Sequence, residues 1–190
     1  NRAISEMQRG KYELSIRQLS RALQLFMDFN TVYNVKKPSS TDIDVAPREI
    51  CDDLGHHLSD LLCSDGGCDR MKDGPYLFTR GLSIPRRAAQ SSQSNVLMIK
   101  VVMFNLGLSH QMMATQRSGA RAEKYLHKAC RLYQLCYQVE TQTQAEAQMH
   151  LLPALANNLG IVYCKMQDTE HARQSFDGII TMVMYANAVG

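Results

Sequence analysis

Two small residues and two aromatic ones at fixed intervals constrain this chain more than any other feature. Near the C-terminal end, Leu159-Gly160-x-x-Tyr163 is followed by Ala172-x-x-x-Phe176, and Gly160 and Ala172 stand twelve positions apart. The pattern suits two antiparallel helices joined by a short turn. Gly160 and Ala172 are small where the helices approach, Tyr163 and Phe176 fill the gaps beside them, and Gln167-Asp168 supplies the turn. Helices are predicted over about 154–166 and 170–184.

The same theme occurs twice earlier, so the chain is read first as a repeat. Leu106-Gly107 opens a second unit, with His110 where the last unit has Tyr, and continues as Ala122-x-x-x-Leu126-x-x-Ala129. Gly107 and Ala122 are fifteen apart, so the turn over 115–119 is predicted to be longer, as its Ser and Gly allow. In the first unit Ala3 takes the small slot, Gly10-x-Tyr12 forms the turn, and Ser15, Leu19 and Ala22 follow, with Ala3 and Ser15 again twelve apart.

In this order and spacing the sequence resembles the tetratricopeptide repeat family. The resemblance covers about residues 1–29, 96–139 and 149–185. It implies a single all-α domain over 1–190, a tetratricopeptide-type helical-hairpin array (an α-α superhelix). No unit has the family's Trp or its closing Pro, and the units are not joined in the short way of a regular 34-residue array.

Between the units the pattern changes. From about 120 to 143 the chain has no Pro, and Leu126, Ala129, Cys130, Tyr133, Cys136 and Tyr137 step three and four apart, which predicts one long helix; Pro153 then opens the next helix in its first turn. Residues 30–95 read as an inserted helix and loop: an amphipathic helix over about 46–63, extended stretches at Tyr76-Leu77-Phe78 and Leu82-Ser83-Ile84-Pro85, and a mobile Gln/Ser/Ala-rich stretch over 86–95. Whether this insertion lies across the array's groove is left open at this level.

Asparagine placement carries the functional reading. Asn158 lies two before Gly160, Asn105 two before Gly107, and Asn1 two before Ala3. In the family the resemblance points to, that slot faces the concave groove, and its carboxamides hold the backbone of an extended peptide. A carboxamide offers one acceptor and an NH2 donor, which matches the polar pair of a peptide unit. The competing reading is that each Asn bonds a neighbouring helix. Groove neighbours on the same faces are Ile4 and Met7; Phe104, Leu108, Gln111 and Met112; and Asn157, Ile161 and Lys165. This surface suits aliphatic or aromatic ligand side chains, although Met and Leu at helical spacing also read as plain core. Some family members clamp acidic tails with cations beside such Asn residues; here only Lys100 and Lys165 are near enough.

The resemblance thus implies a protein-interaction module taking a peptide or partner helix as its partner, with no cofactor. Other classes are disfavoured. The net charge of +3 comes from 21 basic and 18 acidic residues without a block of either sign, so nucleic acid is not expected. The longest apolar stretch, 96–104, is interrupted by Lys100, and no membrane span is expected. Cys51, His56, His57, Cys63 and Cys68 lack the close Cys pair of zinc motifs, and six cysteines in a chain of 190 residues read as reduced thiols of an intracellular, cytoplasmic protein. No nucleophile elbow or phosphate loop appears, so the chain is not expected to be an enzyme. It opens on Asn1 without a leader and reads as a piece of a longer protein. A self-associating structural scaffold and a regulatory domain of a larger protein remain as alternatives.

Overall fold

The turns are set by residues that accept left-handed backbone. Gly10 has φ +73, and the helix before it closes with Gly10 N–H donating to the Met7 carbonyl and Lys11 N–H to the Glu6 carbonyl, both at 2.9 Å. This double bond is a Schellman end, which satisfies carbonyls that the helix itself leaves without donors. The same closure recurs at Gln167, φ +62, where Gln167 N–H donates to Cys164 and Asp168 N–H to Tyr163. The third turn ends on Gly119 at φ +58.

The computed structural model describes residues 1–34, 78, 80–83, 92–142 and 151–189. Among these it is all-helical, with six helices in three consecutive pairs: α1 (Arg2–Gln8) and α2 (Tyr12–Asn34), α3 (Ser92–Thr115) and α4 (Gly119–Gln142), α5 (Leu152–Lys165) and α6 (Thr169–Val189). Each helix packs mainly on its neighbours in sequence, α2 on α3 and α4 on α5 as well as within pairs. Contacts between sequence neighbours make the architecture quasi-one-dimensional.

Small slots are used as the sequence predicts in the last pair. A Cβ on Gly160 would meet the Phe176 ring at 2.6 Å, and Ala172, one turn before Phe176 on α6, is buried. In the middle pair the register differs from the expected one. Gly107 is covered by the Tyr133 ring, at 2.7 Å from where its Cβ would stand, so the aromatic that fills this crossing is Tyr133, one face-equivalent step beyond the expected Leu126. Ala129 and Tyr133 are fully buried, whereas Ala122 is half-buried. The shift is two helical turns, because α3 and α4, each of 24 residues, run past this crossing before they turn back.

Two further expectations are corrected or bounded. Helix α3 begins at Ser92, so residues 92–95 are helical and not part of a mobile stretch. The expected helix over 46–63 and the His56/His57 and Cys51/Cys63/Cys68 positions lie outside the described residues. The expected long helix is present as α4, and Pro153 stands in the first turn of α5.

Helix α3 is the centre of the packing. From Val101 to Ala114 every residue is buried, against α2 and the first pair on one side and α4 on the other. Its segment Val96–Thr115 is long and apolar enough to cross a membrane by composition alone, and most of it is enclosed by its helical neighbours. A helix apolar on all sides is what a core position requires. Within it Lys100 is buried with its Nζ 2.7 Å from Glu140 Oε2 of α4.

Candidate peptide-holding site

Asn105 sits on α3, one turn before Ser109, at a point where α1, α2 and α3 converge. The Ser109 hydroxyl lies 2.9 Å from the Asn105 carbonyl, 3.0 Å from Ser15 Oγ of α2 and 3.2 Å from the Met7 sulfur of α1. These contacts fix the backbone around Asn105. Its carboxamide points at the described part of the insertion, residues 78 and 80–83.

There Asn105 Oδ1 accepts from Leu82 N–H at 2.7 Å, and Asn105 Nδ2 donates to the Leu82 carbonyl at 2.8 Å. The N–H and C=O of one residue point the same way only in extended backbone, as in a strand ladder. A carboxamide therefore reads an extended chain at this point much as a neighbouring strand would. Swapping its O and N would bring donor to donor, so the side chain's orientation is fixed by its partners. Asn105 is 1% exposed and Leu82 1%.

The last pair adds a second, weaker hold. Asn158 of α5 donates through Nδ2 to the Phe78 carbonyl at 3.4 Å and to the Tyr133 hydroxyl at 3.3 Å, and accepts from Asn157 Nδ2 at 3.3 Å. Tyr133 in turn donates to Gln111 Oε1 at 2.8 Å. Buried polar side chains linked in this way orient one another. Among the described residues Gln111 Nε2 is the end of the network, buried without a hydrogen-bond partner.

The held segment crosses the first helices of all three pairs. Phe78 meets α5 through Asn158; Gly81 lies against Ile4 and Met7 of α1 and against Asn105 of α3. Direct contact between α3 and α5 is slight by comparison with that between sequence neighbours. Phe78 and Leu82 belong to the same apolar core as Met7, Phe104, Leu108 and Tyr133. Arg80 is exposed.

Nine of the twelve expected groove residues are buried: Ile4, Met7, Asn105, Asn158, Phe104, Leu108, Gln111, Met112 and Asn157. Ile161 is half-buried, while Asn1, at the start of α1, and Lys165 are exposed. Whether the insertion lies across these positions was open from sequence; in the structure its described residues lie over the two inner asparagines. Lys100 is not available as a clamp for an acidic tail, since it is enclosed in its pair with Glu140. Sequence reasoning found the slot of Asn105 but missed Gly81, Leu82 and Tyr133; the only signal for the first two was their place in a non-helical stretch.

Burial, assisted by the Lys128 charge, lowers the His110 pKa to about 4, and its ring lies 5.7 Å from that of Tyr125. Burial, with Glu140 nearby, pushes the Cys136 thiol up to about 12, and burial also raises that of Cys130. Neither is a nucleophile at neutral pH. Among the described residues no three His, Cys, Asp or Glu side chains converge as metal ligands. The arrangement can hold polypeptide backbone and apolar side chains. Compared with known proteins, the chain matches no protein-family model, no curated protein and no solved structure.

Proposed function

We propose that the chain is a protein-interaction module, a helical-repeat array of tetratricopeptide type whose first helices together take an extended polypeptide. One observation carries this reading: the two-point bond of Asn105 to the N–H and C=O of Leu82. Such a bond holds main chain without consulting a side chain, which is what a peptide-binding groove needs. The matching slot in the last pair, Asn158, also reaches main chain, at Phe78. The resident polypeptide is the chain's own, so partner binding and release of the 78–83 segment are coupled.

The experiment is selection from an unbiased peptide-display library against the full chain, followed by binding of the selected peptides to an Asn105→Ala variant of equal helical content. Peptides whose affinity falls about tenfold or more in the variant support the reading. Peptides that bind both proteins equally place the interaction on another surface and reject it.

A second reading, a self-associating scaffold, is favoured by α6. Ile180, Val183, Met184 and Tyr185 are between 52% and 72% exposed, a run of apolar side chains on the outer helix of the last pair. Mass that rises with concentration, and that Val183→Asp/Met184→Asp holds at one chain, supports this second reading.

A further inference from the structure

The bond to Leu82 explains why backbone is held but not which backbone. Selectivity requires positions where a side chain is demanded or forbidden, and the segment has three. At Leu82 the side chain is 1% exposed and inserted in the core cluster with Phe104 and Leu108, so an apolar residue of this size is demanded. At Phe78 the ring is 8% exposed in the same cluster, while its carbonyl takes Asn158.

Gly81 is the forbidding position. A Cβ there would run into Met7 Cε, and would stand 3.2 Å from Asn105 Oδ1 and 3.3 Å from Ile4 Cγ2. Met7 is 4% exposed and its sulfur lies against the Ser109 hydroxyl, so its methyl end has little room to withdraw. Asn105 cannot retreat without losing Leu82. The glycine is required for space and not for a left-handed backbone. Arg80, by contrast, is exposed, and its side chain is free to vary.

Resting on the function proposed above, we infer that the groove over α1, α3 and α5 recognises a non-helical segment of pattern aromatic-x-x-Gly-Leu, extended at its leucine. Phe78, Gly81 and Leu82 are the contact residues of its resident ligand in cis, and a segment of the same pattern supplied in trans competes for the same place. The cis segment has the advantage of tethering, because a linked ligand acts at an effective concentration in the millimolar range. A competing partner therefore binds the native chain weakly and a chain with a weakened segment strongly. The groove residues themselves are unchanged in that comparison.

The test uses a fluorescent peptide with the sequence of residues 76–85, titrated into the native full chain and into a full chain carrying Phe78→Ala/Leu82→Ala. The expected result is binding to the variant about tenfold tighter or more. Peptides carrying Gly81→Val or Leu82→Asp lose about tenfold or more, while Arg80→Ala binds like the parent. If the variant chain has lost helical signal by circular dichroism, the parent peptide is expected to restore it. A Gly81→Val peptide that binds like the parent, with both lost in Asn105→Ala, overturns the pattern and leaves the backbone grip standing. Absence of any binding or restoration by the parent peptide overturns both, and makes the segment a fixed part of the core.

Discussion

The ammonium of Lys100 and the carboxylate of Glu140 meet at 2.7 Å inside the α3–α4 packing, with side-chain exposures of 7% and 3%. Such a pair contributes little net stability relative to apolar residues of similar shape, because both charges have been taken out of water. Breaking it is another matter. Lys100→Met is expected to lower stability by about 3–5 kcal/mol by leaving Glu140 buried beside an alkyl chain. Lys100→Met/Glu140→Leu is expected to recover most of that loss in urea unfolding. Equal losses in single and double variants would show that the pair is not the source.

Glycines in this fold separate into covered and open ones. Gly160→Ala drives a Cβ into the Phe176 ring, 2.6 Å away, and is expected to cost roughly 1–3 kcal/mol through overpacking. Gly178, within α6, has nothing within 4 Å of such a Cβ. Gly178→Ala is expected to stabilise by about 0.5–1 kcal/mol through helix propensity. Thermal unfolding of the two variants, moving in opposite directions, checks both.

Gln167 stands where a glycine belongs, in left-handed backbone at the end of α5. The cost for a side chain there is of the order of 1–2 kcal/mol. Gln167→Gly is expected to raise the urea midpoint by the equivalent of about 1 kcal/mol, less what glycine's freedom in the unfolded chain takes back.

His110 makes stability depend on pH. Its folded pKa, about 4, lies below the ordinary 6.5, because burial and then Lys128 disfavour the imidazolium. Between these values the unfolded chain binds one more proton than the folded one, so stability falls as pH falls from about 6.5 toward 4 and is retained above it. The slope approaches about 1.4 kcal/mol per pH unit. Asp168 and Glu170, whose carboxyls are held low chiefly by hydrogen bonds from His171 and Gln174, act as pH falls from their ordinary 3.8 and 4.5 downward, outside a comparison of pH 7 with pH 5. Urea midpoints at pH 7 and pH 5 are expected to differ in the native chain and to converge in His110→Leu.

Much of this was legible in the sequence because close helix packing demands small residues at set places. Gly160, Ala172 and Phe176 announced the last pair, and Gly10 and Gly119 marked the turns. The register of the middle pair was not legible, since Ala122 and Ala129 occupy equivalent faces two turns apart and only the length of the hairpin chooses between them. Ser92 to Asn95 read as loop because Ser and Asn have modest helix propensity, which packing overrides. The slot of Asn105 was found by counting back from Gly107. Its ligand was hidden, because the long separation between Leu82 and Asn105 leaves no periodic trace, and a buried asparagine looks like an exposed one in sequence.

The central claim is that Asn105 holds the main chain of Leu82, and hydrogen exchange at the Leu82 amide tests it most directly. The account predicts a protected amide in the native chain, with protection falling about tenfold or more in Asn105→Ala while the amides of α3 and α4 keep theirs. A Leu82 amide exchanging in the native chain at the rate of unstructured peptide would contradict it.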